Sequence, residues 1–166
     1  MATYTLINSV TVGAGGAATI DFTSIPQTYM DLVIKLSVRS TESADVSSLN
    51  ISFNSSTSNF SQKYLVSNAG GAFAGSQARW VTYADGGTAT ANIFSNDEIY
   101  ITNYTSSNYK SFSSNSVTEQ NSSTAYMGLF ASLWSNTSAI TSITLTPSGG
   151  NIAQHSNVCL YGISNA

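Results

Sequence analysis

Charge is what this chain most lacks. Of its 166 residues, 8% are Asp, Glu, Lys or Arg, against about 25% in an ordinary soluble domain. The five basic residues, Lys35, Arg39, Lys63, Arg79 and Lys110, are scattered, and the net charge is −3. Nucleic-acid binding rests on clustered cations that neutralise phosphates, so that function is set aside. Cysteine occurs once, at Cys159, which excludes an internal disulfide. Histidine also occurs once, at His155, and proline twice, at Pro26 and Pro147. No run of about 20 apolar residues is present to cross a membrane. The segment Met1-Ala2-Thr3-Tyr4-Thr5-Leu6-Ile7 has neither the positive charge nor the apolar stretch of a secretory signal. The expectation is therefore a protein made in a cytoplasm and not exported by that route.

Short neutral polar residues fill the place of charge. The chain holds 30 Ser, 19 Thr and 15 Asn. Without apolar anchors such a composition makes a disordered linker. Here 42% of residues are hydrophobic and 11% aromatic, spread along the whole length, which is enough to order the chain. A domain of this size buries roughly 70% of its unfolded surface, so it needs no metal or disulfide to hold it. The neutral polar exterior suits contact with other proteins or with sugars.

Apolar residues recur with period 2. Leu32, Ile34, Leu36 and Val38 share one face, with Val33, Lys35, Ser37 and Arg39 opposite. That alternation marks a half-buried antiparallel strand. Similar runs cover 3–12, 18–22, 49–53, 99–104, 143–145 and 158–160, and 126–134 reads as a more apolar, central strand. The segment 59–66 fits a helical turn as well as a loop and strand. Turns fall at Gly13-Ala14-Gly15-Gly16, at Pro26, at Ala69-Gly70-Gly71, at Asp85-Gly86-Gly87 and at Pro147-Ser148-Gly149-Gly150-Asn151. Eight to ten short strands with turns between them predict an all-β, antiparallel β-sandwich, of jelly-roll type. Residues 1–166 form one domain, with 1–12 an N-terminal arm or edge strand.

Chemistry-bearing residues are sparse, and the expectation is a non-enzyme. A Ser-His-Asp triad needs its histidine held by a carboxylate and touching a nucleophile, and no Gly-x-Ser-x-Gly surrounds any serine here. His155 and Cys159 lack a third and fourth neighbour for zinc, and Cys159, in an apolar run, reads as a small buried residue. Asp97-Glu98 is the one adjacent acidic pair, and neighbouring strand residues face opposite ways. It reads as solvated at a strand start, and a calcium site built from distant loops stays open. Gly13-Ala14-Gly15-Gly16 lacks the lysine and helix of a phosphate loop. No catalytic residue, metal or cofactor is assigned. The aromatic residues carry the binding signal. Tyr100, Tyr104 and Tyr109 cluster in one stretch, and Trp80 and Tyr83 in another. These five are the candidate partner-contact residues, while Trp134 is expected in the core.

Two stretches resemble a known family. They are Ile20-Asp21-Phe22-Thr23-Ser24-Ile25-Pro26-Gln27-Thr28-Tyr29-Met30-Asp31-Leu32-Val33-Ile34-Lys35 and Ile140-Thr141-Ser142-Ile143-Thr144-Leu145-Thr146-Pro147-Ser148-Gly149-Gly150-Asn151, the latter closed by Leu160-Tyr161-Gly162-Ile163. The chain resembles small virion structural proteins of marine tailed bacteriophages, including cyanophages. The resemblance implies a decoration protein or part of a fibre, made in the host cytoplasm and working on the virion. A decoration role implies the major capsid protein as partner and a homo-oligomer, with a homotrimer or similar ring as the expectation. A fibre role implies a receptor-binding module that recognises a surface glycan. The chain has no long repeat-bearing stalk, which favours decoration of the capsid surface.

Overall fold

The computed structural model describes residues 2–121 and 125–165. Met1, residues 122–124 and Ala166 lie outside the described residues, so the expected N-terminal arm is described from Ala2 onward. Twelve strands and no helix are found among the described residues. The strands are β1 (Ala2–Thr11), β2 (Ile20–Phe22), β3 (Asp31–Ser37), β4 (Val46–Phe53), β5 (Phe60–Asn68) and β6 (Gly71–Gln77). They continue with β7 (Trp80–Asp85), β8 (Asn96–Ile101), β9 (Lys110–Thr118), β10 (Tyr126–Trp134), β11 (Ile143–Pro147) and β12 (Asn157–Asn165).

Two sheets form a sandwich. The larger has eight strands in the order β1-β12-β3-β8-β9-β10-β5-β6, and the smaller has four in the order β2-β11-β4-β7. Every strand pair within them is antiparallel. Segment 59–66 resolves to strand β5. Strand β10 lies between β9 and β5, in the interior of the large sheet. The N-terminal segment pairs with β12 of its own sheet from Ala2 to Thr11 and is an edge strand.

Alternation decides what is buried. Leu32, Ile34 and Leu36 of β3 and Ile99 and Ile101 of β8 face the small sheet, where they meet Leu49, Ile51 and Phe53 of β4 and Ile143 and Leu145 of β11. Each such side chain, fully buried, contributes about 1.5–3 kcal/mol. Trp134 lies in this core as expected, its ring edge-on to Phe53 with centroids 5.4 Å apart. A second, smaller cluster of Val66, Tyr83 and Phe130 sits beyond it, with Tyr64, Trp80 and Tyr126 around it.

Strand β7 is the free edge of the small sheet, and β9 closes it with side chains. The inward face of β9 presents Phe112, then Ser114, Ser116 and Thr118, all buried. The Ser116 Oγ accepts the backbone N–H of Tyr83 at 3.1 Å, and the Ser114 hydroxyl donates to the carbonyl of Val81. Two hydroxyls thus stand where a neighbouring strand would supply ladder bonds. This is why β9 escapes a reading by hydrophobic period. It alternates strictly in burial, but its inward row is mostly serine and threonine.

Removing one of these hydroxyls leaves a buried backbone group unsatisfied, at about 1–3 kcal/mol. Ser116→Ala is expected to lower the urea midpoint accordingly. Ser113→Ala, on the exposed row of the same strand, is expected to change stability by no more than about 0.5 kcal/mol. Equilibrium urea denaturation of the two variants checks this.

Candidate functional site

No strand lies over the outer face of the large sheet among the described residues, and the half of it formed by β9, β10, β5 and β6 is exposed. Across β8, β9, β10, β5 and β6 its exposed row contains Val117, Met127, Leu129 and Leu65, the last three 62%, 60% and 53% exposed. Isolated exposed apolar residues are ordinary, but a contiguous group marks an interaction surface. These are contiguous by register. Val117 pairs with Met127, Leu129 pairs with Leu65, and Leu65 pairs with Ala74. The position follows from the strand period: the outward apolar residues of β10 alternate with Phe130 and Trp134, which face inward.

A shallow groove of about 440 Å³ runs along this face, floored by Leu65, Leu129 and Ala131 and flanked by Lys63, Glu98 and Tyr100. A second depression of about 200 Å³ adjoins it at Leu65, Ala72, Met127 and Leu129. One wall is fixed by an ion pair, Lys35 Nζ to Glu98 Oε2 at 2.6 Å. Both partners are substantially exposed, so it orients side chains more than it stabilises. The Tyr100 hydroxyl donates to Asp31 Oδ2 at 2.6 Å, and Asp31 Oδ1 accepts the N–H of Asn103 at 2.8 Å. The bond to Asp31, with some burial, pushes the Tyr100 phenol up to about 12. It stays neutral, with its ring held at the groove. An apolar floor between walls that carry charged and hydrogen-bonding groups, Lys63, Glu98 and Tyr100, can accept a flat protein surface or an extended chain.

The five aromatic residues singled out from sequence separate. Tyr100 lies at the groove, and Tyr109 is exposed on the loop before β9. Tyr104 is fully buried, and its hydroxyl donates to the carbonyl of Pro26. Tyr83 is buried in the second cluster, where burial pushes its phenol up. Trp80 is half-buried beside it, donating Nε1–H to the carbonyl of Thr82 at 3.0 Å. Nearness in sequence groups these residues, whereas alternation sends Tyr100 outward and the chain turn after Ile101 sends Tyr104 inward. The exposed Leu65, Met127 and Leu129 fall outside the five aromatic candidates. Their signal is present in β10, where both faces of the strand carry apolar residues.

The remaining candidates are also placed. His155 is exposed in a turn with φ 72°, and its N–H donates to the carbonyl of Val12. Cys159 is half-buried, not buried: its thiol donates to Asn157 Oδ1 at 3.2 Å, on the outward row between Ser9 and Lys35. No group of three or more His, Cys, Asp or Glu able to hold a metal occurs among the described residues.

No protein-family model and no curated protein matches this chain.

Asp97 and Glu98 face opposite sides, as strand geometry requires, but Asp97 is buried rather than solvated. Its carboxylate accepts the hydroxyls of Thr82 at 2.7 Å and Ser95 at 2.5 Å, and it is also hydrogen-bonded to Ser116. Asp85 is buried nearby at the end of β7, with neither carboxylate oxygen hydrogen-bonded. Above it the Arg39 guanidinium donates to the carbonyls of Thr90 at 2.7 Å and Ala89 at 2.8 Å, holding the loop between β7 and β8. Burial outweighs the Arg39 charge and pushes Asp85 up to about 6. Burial likewise outweighs the hydroxyl donors and pushes Asp97 up to about 7.

A carboxyl raised in the folded state holds its proton while the unfolded chain, ionising near 3.8, has already lost it. Stability contributed by that proton is complete below about pH 4, falls as pH rises, and is gone above about pH 7. Each tenfold gain in proton affinity on folding corresponds to about 1.4 kcal/mol. The urea midpoint is therefore expected to decline between pH 4 and 7. Asp97→Asn should flatten the upper part of that decline, and a pH series of urea midpoints checks it.

Proposed function

We propose that this protein is a non-enzymatic virion component that decorates or cements the capsid of a tailed bacteriophage. The observation that carries the reading is the bare outer face of the large sheet, with Leu65, Met127 and Leu129 exposed side by side. In this reading that face lies against major capsid protein subunits and buries its apolar row there. Neutral Ser, Thr and Asn around the row form hydrogen bonds across the contact without the cost of desolvating charge. Each contact is modest, and repetition over a symmetric shell multiplies it. The protein acts as a homo-oligomer on the capsid surface, and requires no cofactor, nucleic acid or membrane.

The strand order supports reading the sandwich as an elaborated jelly roll. With β9, β10, β5 and β6 at one end of the large sheet set aside, four strands remain in each sheet, β1-β12-β3-β8 and β2-β11-β4-β7, the eight of a jelly roll. The chain also changes sheet repeatedly, from β1 to β2, β2 to β3, β3 to β4, β4 to β5, β6 to β7, β7 to β8, β10 to β11 and β11 to β12.

A second reading, a glycan-recognising module of a fibre, draws on Tyr109, which is 59% exposed, and on the Tyr100 ring at the groove. Aromatic faces of this kind stack on sugar rings. Copy number separates the two. On purified particles of the encoding virus, the capsid reading expects on the order of hundreds of copies, as shell symmetry dictates. A handful of copies confined to the tail would overturn it in favour of the fibre. Leu129→Asp, at a site already exposed in the free protein, is expected to weaken binding to empty capsid shells at least about tenfold while leaving the urea midpoint nearly unchanged.

A further inference from the structure

An unpaired sheet edge presents rows of N–H and C=O groups to any other strand, and proteins normally blunt such edges. Among the described residues, three of the four edges are blunted. Strand β7 is closed by the hydroxyls of Ser114 and Ser116. Strand β2 is three residues long and carries Asp21, whose carboxylate accepts the hydroxyls of Thr19 and Thr144. Strand β1 is broken by a register shift between Leu6 and Asn8.

Strand β6 has none of these protections. It runs seven residues in unbroken register with β5, from Asn68 opposite Gly71 to Gln62 opposite Gln77. Its sequence, Gly71-Ala72-Phe73-Ala74-Gly75-Ser76-Gln77, contains no charge and no proline. All seven residues are exposed or half-exposed, and no strand lies beyond them among the described residues. The Tyr64 ring lies against Gly75, where an added Cβ would find no room. That ring packing pins the register of β6.

The first five residues of β6 read the same in both directions, Gly-Ala-Phe-Ala-Gly. An antiparallel pair of identical strands about a twofold axis is self-complementary only if residues equidistant from the axis suit each other. With the axis at Phe73, Gly71 faces Gly75, Ala72 faces Ala74, and Phe73 faces its own copy. No like charges meet, and small side chains flank the single ring. Phe73 is 41% exposed, touching Tyr64 on one side, so a second ring can join it. Ala72 and Ala74 stand on the same face as Leu65 and Met127. Such a pairing therefore brings the apolar rows of two copies together as one surface.

We propose that β6 pairs antiparallel with β6 of a second copy of this chain, about a twofold axis at Phe73, joining the two eight-stranded sheets edge to edge. One strand pair buries less than a standard interface, so the dimer is weak, with a dissociation constant on the order of 10 μM. Crowding on a symmetric surface would favour it. The pairing rests on the edge alone and is tested on free protein, so its failure leaves the capsid reading standing, and the reverse.

Sedimentation equilibrium over a concentration series reads the association directly. The A72K/A74K double variant places lysine against lysine across the axis on an exposed face. It is expected to weaken the dimer at least about tenfold. The A72K/A74E variant places lysine against glutamate at the same positions, and association is expected to return. In a C159S background, F73C puts two thiols face to face within disulfide reach and should cross-link on mild oxidation, whereas A72C should not. A purely monomeric wild type up to millimolar concentration would overturn the proposal. So would association indifferent to the A72K/A74K charges, or cross-linking through A72C in preference to F73C.

Discussion

Everything in this sandwich depends on how the edge of the small sheet is closed. A four-stranded sheet laid over an eight-stranded one ends above the middle of its partner, and the backbone groups of β7 end with it, buried and in need of partners. Serine hydroxyls of β9 supply them. A serine can receive an N–H and pass its own proton onward, and Ser116 does both: it takes the Tyr83 N–H and is hydrogen-bonded to Asp97. Asp97 also receives Thr82 from β7 and Ser95 from the loop before β8. One carboxylate therefore gathers β7, β8 and β9 in a region where a hydrophobic contact would leave backbone groups unmade.

That arrangement carries a cost in acid–base behaviour. Asp97 is surrounded by hydroxyls, which favour its ionised form, yet its burial disfavours that form more strongly. The neighbouring Asp85 has an arginine nearby but no hydrogen bond to its carboxylate. Two buried carboxyls at one end of the sandwich make the fold most secure when they keep their protons. Lys110, also buried, is held differently. Its ammonium donates to the carbonyls of Ser106 and Asn108 at 2.7 and 2.6 Å and so fastens the loop that carries Tyr109.

The same geometry leaves the opposite face free. The small sheet packs on one side of the large sheet, and no strand among the described residues packs on the other. Apolar residues on both sides of β10 are then explained separately. Phe130 and Trp134 serve the interior, while Met127 and Leu129 are available to a partner. The bare face and the unprotected β6 edge adjoin at Leu65 and Ala74.

Local pattern was enough for the class of fold and for most of its strands. Period-2 alternation with sparse prolines located β1, β2, β3, β4, β8, β11 and β12, because apolar residues repeated along one side of a strand need a covered face, and a more continuous apolar run located β10. Strands β6, β7 and β9 were not legible: β6 is made of small residues, β7 is buried on both faces, and the inward row of β9 is largely serine. Which face of each strand is covered became visible only once the sheets were assembled. Alternation divides residues into two sets but does not say which neighbour either set meets. That is why Tyr104 and Tyr83 became interior, Asp97 became buried, and Leu129 stayed exposed. Each outcome depends on pairing between residues far apart in the chain, such as Ser116 with Tyr83 or Leu65 with Leu129, and no local pattern encodes that.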